Sequence, residues 1–384
     1  MQRLPGFHMR KELLHLRDAI FGDIALGPVE KEIVESREFQ RLRYIRQIGF
    51  SYLVYMGANH TRFEHSIGTM QITREISNSL CPQRSDELAI AGLLHDIGHA
   101  PFSHSLDGTL ARYLKKDHEQ IGRERILKGR LKGIIEKHGF SVHKVLKGFD
   151  GEREGKILTG VLGSDRIDYL ARDSHYTGVG YGVVDYERIR SKLALFRGDP
   201  AIYAQGVAAA EAMLIARYSM WQSVYLHHAN IIAGAMLRKG IAAAVESGEF
   251  DPKTLPNIND SELLAALEGT GAGAGMVLSL KSRRLFKRAY YVEDERQHLK
   301  EHEIGSCLSK AGIDDWDYIV ATHRFKGDRE EMEVLDRKGS PVGNLSAVSP
   351  LVNTLNNVLK GKSIMIVAVR ANLREKAAAA LKRL

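Results

Sequence analysis

A chain of 384 residues can bury a sizeable hydrophobic core, and at roughly 150 residues per domain it predicts two or three domains. Hydrophobic residues make up 44% and charged residues 27%, which excludes collagen-like, low-complexity and intrinsically disordered proteins. Lys and Arg outnumber Asp and Glu by 55 to 47, and this net charge of +8 suits either a polyanionic partner or a well-solvated surface.

The N-terminal stretch lacks the pattern of a targeting segment. Its first positions include Arg3, His8, Arg10, Lys11 and Glu12, which interrupt any apolar core of a signal peptide. Nowhere does the sequence approach about 18 uninterrupted apolar residues, so we expect no membrane helix. We therefore expect a soluble, cytoplasmic protein.

Three amphipathic helices are predicted in the first quarter of the chain. Apolar residues recur at helical spacing over 29–48 and again over 63–80, which predicts the first two helices. Ser85, followed by two acidic residues, is typical of an N-cap. It predicts a third helix that ends near Asp96, just before Gly98.

The character of the sequence changes after Glu249. Residues 206–248 contain no proline and predict one long helix or two in succession, whereas the glycine-rich run 269–275 indicates a boundary region. Short runs typical of strands follow at 289–292, 318–321, 331–335 and 363–369. We predict a mainly α fold, with a helical domain over 1–248 and a smaller α+β domain over 249–384.

Histidine is concentrated where cysteine is sparse. The isolated Cys81 and Cys307 exclude a disulfide framework and a cysteine-based zinc site. Between positions 60 and 118 the chain carries six of its 16 histidines, where even spacing would give about two or three. They are His60, His65, His95, His99, His104 and His118. Any metal must be held by histidine and carboxylate.

The adjacent pair His95-Asp96 stands at the predicted end of the third helix. His65 lies on the preceding helix, and Asp165 lies farther along the chain. Two imidazoles and two carboxylates suit a divalent ion such as Zn, Mn, Fe, Co, Ni or Mg. Neighbouring helical residues point about 100° apart, so the pair could reach one ion only where the backbone turns, as Gly98 allows. The same residues also fit a capping pair, a core histidine and an N-cap.

Four motifs stand in order along the chain. They read HTRFEHSIG at 60–68, GLLHDIGHAPFSH at 92–104, HE at 118–119 and SDRIDYLARD at 164–173. Together they resemble the HD-domain phosphohydrolases, and more narrowly their deoxynucleoside triphosphate triphosphohydrolase branch. The similarity extends upstream through 39–47 and downstream to Tyr225 and His227. The resemblance implies an HD-domain helical core that binds a divalent metal and a nucleotide, and assembly into homo-oligomers.

The resemblance also implies roles for individual residues. The implied metal ligands are His65, His95, Asp96 and Asp165. Phosphate contacts and proton transfer are implied for Arg62, His99, His104, His118 and Glu119. Sugar contacts are implied for Gln47 at the 3′-hydroxyl and for Tyr169, Asp173 and Tyr225.

Some of these implied roles are specific. His118, held by Glu119, donates a proton to the leaving alkoxide, and Asp165 also orients the attacking water. His99 contacts phosphate or helps to hold a second metal. Tyr225 packs against C2′ and leaves no room for a ribose hydroxyl.

Two departures from this branch bear on the substrate. Gln222 and Ser223 stand where paired basic residues usually precede the sugar-wall tyrosine, and His228 replaces a lysine. We expect hydrolysis of a deoxynucleoside triphosphate to deoxynucleoside and triphosphate, with a nucleotide phosphatase or phosphodiesterase on the same metal site as the alternative. A nucleotide- or nucleic-acid-binding regulator is a further alternative, although a pure binder has no use for the pair His118-Glu119.

A basic run with aromatic neighbours lies at 281–291. Its members are Lys281, Arg283, Arg284, Lys287 and Arg288, with Phe286, Tyr290 and Tyr291. This combination could bind nucleic acid or an allosteric nucleotide, while a solvated helix face is the simpler interpretation.

Overall fold

The computed structural model describes residues 13–324, 331–359 and 362–384, so the prediction that residues 1–12 form no signal peptide lies outside the described residues. Helices α1 to α11 span Pro28–Val34, Arg37–Gln40, Arg62–Leu80, Ser85–Leu94, Asp107–Leu114, His118–Lys128, Arg130–Lys137, Val142–Lys147, Lys156–Thr159, Ser164–Thr177 and Tyr186–Lys192. Helices α12 to α19 span Val207–Met220, His228–Glu246, Asp260–Glu268, Ala274–Lys281, Glu301–Lys310, Leu345–Val348, Pro350–Leu359 and Arg374–Leu381. The fold is mainly α, as predicted.

The strands of the described residues form three small sheets. Strands β1 to β9 span Leu14–Asp18, Gly22–Leu26, Leu193–Phe196, Asp199–Tyr203, Lys287–Asp294, Tyr318–Arg324, Glu333–Leu335, Pro341–Asn344 and Lys362–Val369. β1 and β2 form an antiparallel hairpin, and the other sheets have the orders β3-β4-β7-β8 and β5-β9-β6. The four predicted β-prone runs correspond to β5, β6, β7 and β9, which confirms them.

The segment predicted as one helix over 29–48 is interrupted, so that prediction is wrong. Ser36 Oγ accepts a hydrogen bond from the Phe39 amide at 3.3 Å and so starts a new helix after α1. Farther along, Arg46 leaves the helical path and pairs with Thr61 in an isolated bridge. The spacing of the apolar residues therefore indicates which side chains are buried, whereas local hydrogen bonds determine where each helix ends.

The other predicted helices are found, with changes at their ends. The helix predicted over 63–80 is α3. Ser85 is the first residue of α4 rather than its cap, and its hydroxyl hydrogen-bonds Ser77 Oγ at 2.8 Å. Residues 206–248 form two helices, α12 and α13, separated by a π-helical turn at Trp221–Tyr225.

The hydrophobic core is continuous across residue 249. One buried cluster includes Phe102 of the helical region and Ile366 of β9, and β4 pairs in parallel with β7. The division into 1–248 and 249–384 stays a prediction. Within the described part of the chain, no helix is both long and apolar enough to cross a membrane.

Candidate active site

Side chains from α3, α10 and the end of α4 converge on one point. His65 Nε2 lies 3.2 Å from His95 Nε2 and 3.1 Å from Asp165 Oδ1, and the third pair is 3.6 Å apart. The oxygens of Asp96 lie 3.5 Å from His65 Nε2 and 3.4 Å from His95 Nε2. Donors that each lie about 2.0 to 2.2 Å from one ion are roughly 3 to 4 Å apart. The separations of His65, His95 and Asp165 therefore fit one divalent cation, with Asp96 beside it.

Hydrogen bonds to the far ring nitrogens orient both imidazoles. His95 Nδ1 lies 2.8 Å from the Gly92 carbonyl oxygen, and His65 Nδ1 lies 2.6 Å from Asp168 Oδ2. Because these oxygens accept, each Nδ1 donates its proton, which leaves Nε2 facing the ligand cluster, where a metal ion would take the place of any proton. Arg172 holds Asp168 with hydrogen bonds of 2.8 and 3.0 Å.

The ligand cluster carries surplus negative charge. Burial by itself lowers the pKa of His65, but the carboxylates of Asp165 and Asp168 outweigh it and raise that pKa to about 10. Burial raises the pKa of the Asp165 carboxyl, but His65 and His95 hold it far below its usual range. Carboxylate oxygens and imidazole nitrogens are the donors that divalent ions prefer, and a cation would offset the carboxylate charge, so the donor set fits a divalent metal ion.

Asp96 joins the metal ligands to a buried cation. Arg62 Nη1 donates to Asp96 Oδ2, and His99 Nε2 lies 3.2 Å from Asp96 Oδ1. Burial raises the pKa of Asp96, but Arg62 and the neighbouring histidines hold it well below its usual range. Arg62 is 2% exposed, and its Nη2 has no hydrogen-bond partner among the described residues. That nitrogen can therefore donate to a phosphate oxygen.

Three further histidines gather around Asp107. The rings of His99 and His118 stack with centroids 4.0 Å apart, and the His104 ring meets them edge-on at 5.3 and 6.0 Å. His104 Nδ1 lies 3.0 Å from Asp107 Oδ2, and His118 Nδ1 lies 3.6 Å from Asp107 Oδ1. His99, Asp107 and His118 are close enough to hold a second ion.

Asp107 is the carboxylate that the structure places near His118, with Oδ1 3.6 Å from Nδ1, and the expected pairing of His118 with Glu119 stays a prediction. Glu119 follows His118 directly on α6; its side chain therefore points about 100° away and is exposed. Burial by itself lowers the pKa of His118, but Asp107 reverses the shift and raises it. Burial and the Arg62 charge lower the pKa of His99 well below its usual value. The spacing of three residues from His104 to Asp107 is the signal that could have indicated this partner.

A buried hydrogen-bonded chain forms the predicted sugar wall. The Tyr225 hydroxyl donates to Asp173 Oδ2 at 2.6 Å, and His60 Nε2 lies 2.8 Å from Asp173 Oδ1. The Tyr169 ring packs edge-on to Tyr225 with centroids 6.4 Å apart. Burial, with the Asp173 charge, raises the pKa of Tyr225 well above its usual value, so the hydroxyl stays protonated. His60, to which the sequence assigned no role, is the far end of this chain.

Gln47 lies next to this wall. Its backbone N–H donates to the His60 carbonyl at 3.1 Å, and its buried side-chain Oε1 has no partner within the described parts of the chain. Arg217 of α12 interacts with Tyr169 and with the charge of Arg166. Neither arginine belongs to the predicted site. Arg166 lies within the motif at 164–173 but was given no role, and nothing in the local sequence shows that α12, which carries Arg217, reaches α10.

The turn after α4 brings α6 close to the metal ligands. A Cβ on Gly98 would lie 2.0 Å from the His118 carbonyl oxygen and 2.4 Å from the Gly122 nitrogen, so only glycine permits this approach. Farther along the turn, Phe102 and Ser103 have φ angles of 54° and 50°, which are unfavourable for side chains with a Cβ. The backbone of this turn is therefore held by its surroundings.

The basic run at 281–291 is not a helix face. Arg283, Arg284, Lys287 and Arg288 are exposed on the segment that leads into β5 and on β5 itself. The Arg288 guanidinium lies over the Tyr291 ring at 4.8 Å. Binding of nucleic acid or a nucleotide to this surface stays a prediction.

Comparison with known families divides the chain into two matched regions. Residues 62–173 match the HD domain family, and residues 184–384 match the family described as HD associated region. The first region contains the candidate metal ligands and the histidine cluster around Asp107. The second contains Tyr225 and all of the sequence after residue 250.

Three individual proteins illustrate the similarity. An uncharacterised protein of Methanocaldococcus jannaschii is 40% identical over 378 residues, which are 94% of this chain and 80% of that protein. The human deoxynucleoside triphosphate triphosphohydrolase SAMHD1 is 33% identical over 387 residues, covering 88% of this chain and 60% of that protein. The crystal structure of a hypothetical protein from Aquifex aeolicus superposes with a TM-score of 0.79 at 28% identity, covering 96% of this chain and 100% of that one.

Proposed function

Because the chain belongs to the HD-domain phosphohydrolase family, with an HD domain followed by an HD-associated region, we propose that it hydrolyses deoxynucleoside triphosphates to deoxynucleoside and triphosphate. One observation carries the proposal. Asp165, Tyr169 and Asp173 follow one another at intervals of four on α10 and share one face of that helix. At a rise of 1.5 Å per residue, Tyr169 and Asp173 lie about 6 and 12 Å beyond Asp165 along the helix axis. A nucleotide with its α-phosphate near Asp165 would therefore have its sugar beside Tyr169 and Asp173.

The phosphate side supplies positive charge. Arg62 offers its free Nη2 to a phosphate oxygen, and the protonated His118 adds a second cation at the cluster around Asp107. A divalent ion held by His65, His95 and Asp165 would supply Lewis acidity, activating a water and neutralising charge on the phosphate. These groups stabilise the charge that develops at phosphorus.

His118 is the proposed proton donor. The oxygen of a water attacks the α-phosphorus, the bond from phosphorus to the 5′-oxygen breaks, and the His118 proton passes to that oxygen to give the free deoxynucleoside. The proton that the water loses returns His118 to its protonated form, so the net reaction consumes one water. Asp107 raises the pKa of His118 and so favours the protonated imidazole that a proton donor needs. His99 has a pKa well below its usual value and accepts or relays a hydrogen bond as a neutral ring.

The sugar wall accounts for a preference for deoxyribose. Tyr225 is anchored by its hydroxyl to Asp173, which His60 holds from the other side. An anchored ring cannot move aside for a 2′-hydroxyl, and a clash or an unpaired polar group disfavours the ribonucleotide by as much as several kcal/mol. The human relative, a deoxynucleoside triphosphate triphosphohydrolase, supports the same substrate class.

A nucleotide phosphatase or phosphodiesterase is the second candidate. Gln222 and Ser223 carry no charge where basic residues would face the outer phosphates, and the Gln222 amide is already hydrogen-bonded to the Tyr218 hydroxyl at 2.9 Å. Arg166 and Arg217 lie near the sugar wall and supply positive charge that those two positions lack. On balance the triphosphate remains the preferred substrate.

Product analysis separates these functions. The purified chain is incubated with deoxynucleoside tri-, di- and monophosphates, their ribose counterparts and bis(p-nitrophenyl) phosphate, each with a panel of divalent metals. Inorganic triphosphate as the product supports the proposal, whereas orthophosphate or pyrophosphate supports the phosphatase alternative. Tight nucleotide binding without turnover would identify a regulator. Asp165→Asn, which keeps the side-chain shape but removes its charge, is the matched inactive control.

A further inference from the structure

A segment from outside the HD domain lies against the turn that carries His99 and Ser103. This segment, residues 256–260, joins a 3-10 turn to the start of α14 and belongs to the HD-associated region. The turn, residues 97–103, follows the candidate metal ligands. The contacts between them concern the catalytic groups directly, since the same turn leads on to His104 and Asp107.

Asp260 anchors the backbone of the turn. It is 2% exposed, and its Oδ1 accepts the Phe102 amide at 2.7 Å while its Oδ2 accepts the Arg46 amide at 3.1 Å. Phe102 is the first of two consecutive residues with positive φ. A backbone with this conformation is kept only where several surrounding contacts hold it. The hydrogen bond from the Phe102 amide to the Asp260 carboxylate is one of those contacts.

The same anchor continues to the phosphate-binding arginine. The Arg46 carbonyl accepts a hydrogen bond from Ser103 Oγ at 2.9 Å, and Arg62 Nε donates to that Oγ at 2.6 Å. Displacing Asp260 would therefore release the Arg46 amide and, through Ser103, the guanidinium that contacts Asp96.

Two arginines tie the segment to the carbonyls of the turn. Arg41 donates to the Ile258 carbonyl at 3.1 Å through Nη1, and to the Ile97 and His99 carbonyls at 3.1 and 2.8 Å through Nη2. Arg125 on α6 donates to the same segment and to the Ile97 carbonyl at 3.4 Å. Each guanidinium bridges the two segments, so they form one hydrogen-bonded unit.

We propose that residues 256–260 are a brace that positions the catalytic turn, with Asp260 as its principal positioning residue. The HD-associated region thereby sets the geometry of His99, Ser103 and Arg62 without touching substrate. The predicted effect on turnover rests on the proposed function, whereas the predicted effect on the rigidity of the turn does not.

Asp260→Asn is the informative substitution. Asparagine has the same shape, keeps one acceptor oxygen and replaces the other by a donor that cannot accept an N–H. Burial raises the pKa of Asp260 to about 6, although the hydrogen bonds from the Phe102 and Arg46 amides and the positive charges of Arg46 and Arg62 each act to lower it. Because a neutral amide avoids that burial penalty, we expect the variant to fold. Glu262→Gln is the matched control, since Glu262 is an exposed carboxylate in the first turn of the same helix and glutamine keeps an oxygen that can accept the Asn259 amide, as Glu262 does at 2.8 Å.

Hydrogen exchange of peptides covering 97–106, measured on the full chain, tests the brace directly. We expect Asp260→Asn to speed exchange there by about tenfold or more and Glu262→Gln to leave it unchanged, because local exchange follows local opening. With Mn²⁺ and a deoxynucleoside triphosphate, Asp260→Asn should lower kcat by about 10- to 100-fold while KM and Mn²⁺ affinity change by less than about threefold.

Ser103→Ala provides a second, independent arm. This substitution removes the link between Arg46 and Arg62 and should lower kcat. The double variant Ser103→Ala with Asp260→Asn should lose little more kcat than either single variant, because both residues act through one network. If Asp260→Asn does not fold, exchange and turnover of Ser103→Ala decide. The proposal that 256–260 is a brace would be overturned by either of two results. One is wild-type hydrogen exchange at 97–106 in Asp260→Asn, and the other is a loss of kcat in the double variant equal to the sum of the two single losses in free energy. A wild-type chain that hydrolyses no nucleotide contradicts the proposed function, while the exchange result still decides the brace.

Discussion

Replacing Gly68 by alanine should damage the metal centre, although alanine normally favours a helix over glycine. Gly68 lies three residues after His65 on α3 and faces the same side of the helix. A Cβ at this position would lie 1.8 Å from Asp168 Oδ1 and 2.4 Å from Arg172 Nη2. Both neighbours are completely buried and hydrogen-bonded to each other, so neither can swing into solvent.

The size of the effect follows from that clash. A carbon and an oxygen normally approach to roughly 3.3 Å, so Asp168 must retreat by about 1.5 Å and give up its 2.6 Å contact with His65 Nδ1. Alanine gains about 1 kcal/mol of helix propensity, whereas disrupting a buried charged pair costs about 3 to 5 kcal/mol. We expect a net destabilisation of about 2 to 4 kcal/mol. Losing the bond that orients a ligand histidine should weaken metal binding by about 10- to 100-fold.

Thermal unfolding and calorimetric titration with Mn²⁺ measure both quantities. Gly133→Ala is the matched control, because Gly133 lies within the helix α7 and a Cβ added there would meet no atom of the described residues within 4 Å. That variant should be as stable as the wild type or more stable by up to about 1 kcal/mol. If Gly68→Ala matched Gly133→Ala in stability and bound Mn²⁺ like the wild type, the proposed support of His65 by Asp168 would be refuted.

Three further predictions concern the chemistry. Asp107→Asn should lower the pKa of His118, so the alkaline limb of the kcat profile should move to lower pH, since the donor must be protonated and activity is lost above its pKa. Glu119→Gln should leave that limb in place, and the reverse pattern would restore Glu119 as the partner. Asp96→Ala should remove bound metal and turnover together, as metal analysis and rates would show; metal retained at the wild-type level would exclude Asp96 as a ligand, and normal turnover without metal would exclude the metal from the reaction. Tyr225→Ala should admit ribonucleotides, lowering the ratio of deoxy to ribo kcat/KM by about 10- to 100-fold, and an unchanged ratio would exclude the wall.

The helical part of the fold could be predicted where burial and local signals agree. α3 combines a one-sided apolar pattern with a capping box at Thr61 and Glu64, and the prediction for it was accurate. The helix predicted over 29–48 failed because its apolar spacing continues through the interruption at Ser36. β3 and β4 form a local antiparallel hairpin that the prediction missed. The pairing of β4 with β7, more than a hundred residues away, leaves no local pattern.

The site shows the same division between local motif and distant contact. His65, His95 and Asp165 were predicted together because each stands in a recognisable motif, and the structure brings their donor atoms to one point. Asp107 and Arg217 stand in no such motif, and their roles follow only from the packing of α5 and α12 against the other helices. Asp260 is the extreme case, since its partner Phe102 is 158 residues away in the sequence.

Asp96 separates two regions of opposite charge. On one side lie the carboxylates of Asp165 and Asp168, and on the other lie the Arg62 guanidinium and His118, whose pKa Asp107 raises. One Asp96 oxygen faces Arg62 and the other faces His99. Asp96 therefore lies between the two regions, so the carboxylates on one side do not contact the cationic groups on the other directly. Under the proposed function, a phosphate ester that spans this boundary would meet a water on the metal side and the proton donor His118 on the other, which is the arrangement that in-line displacement at phosphorus requires.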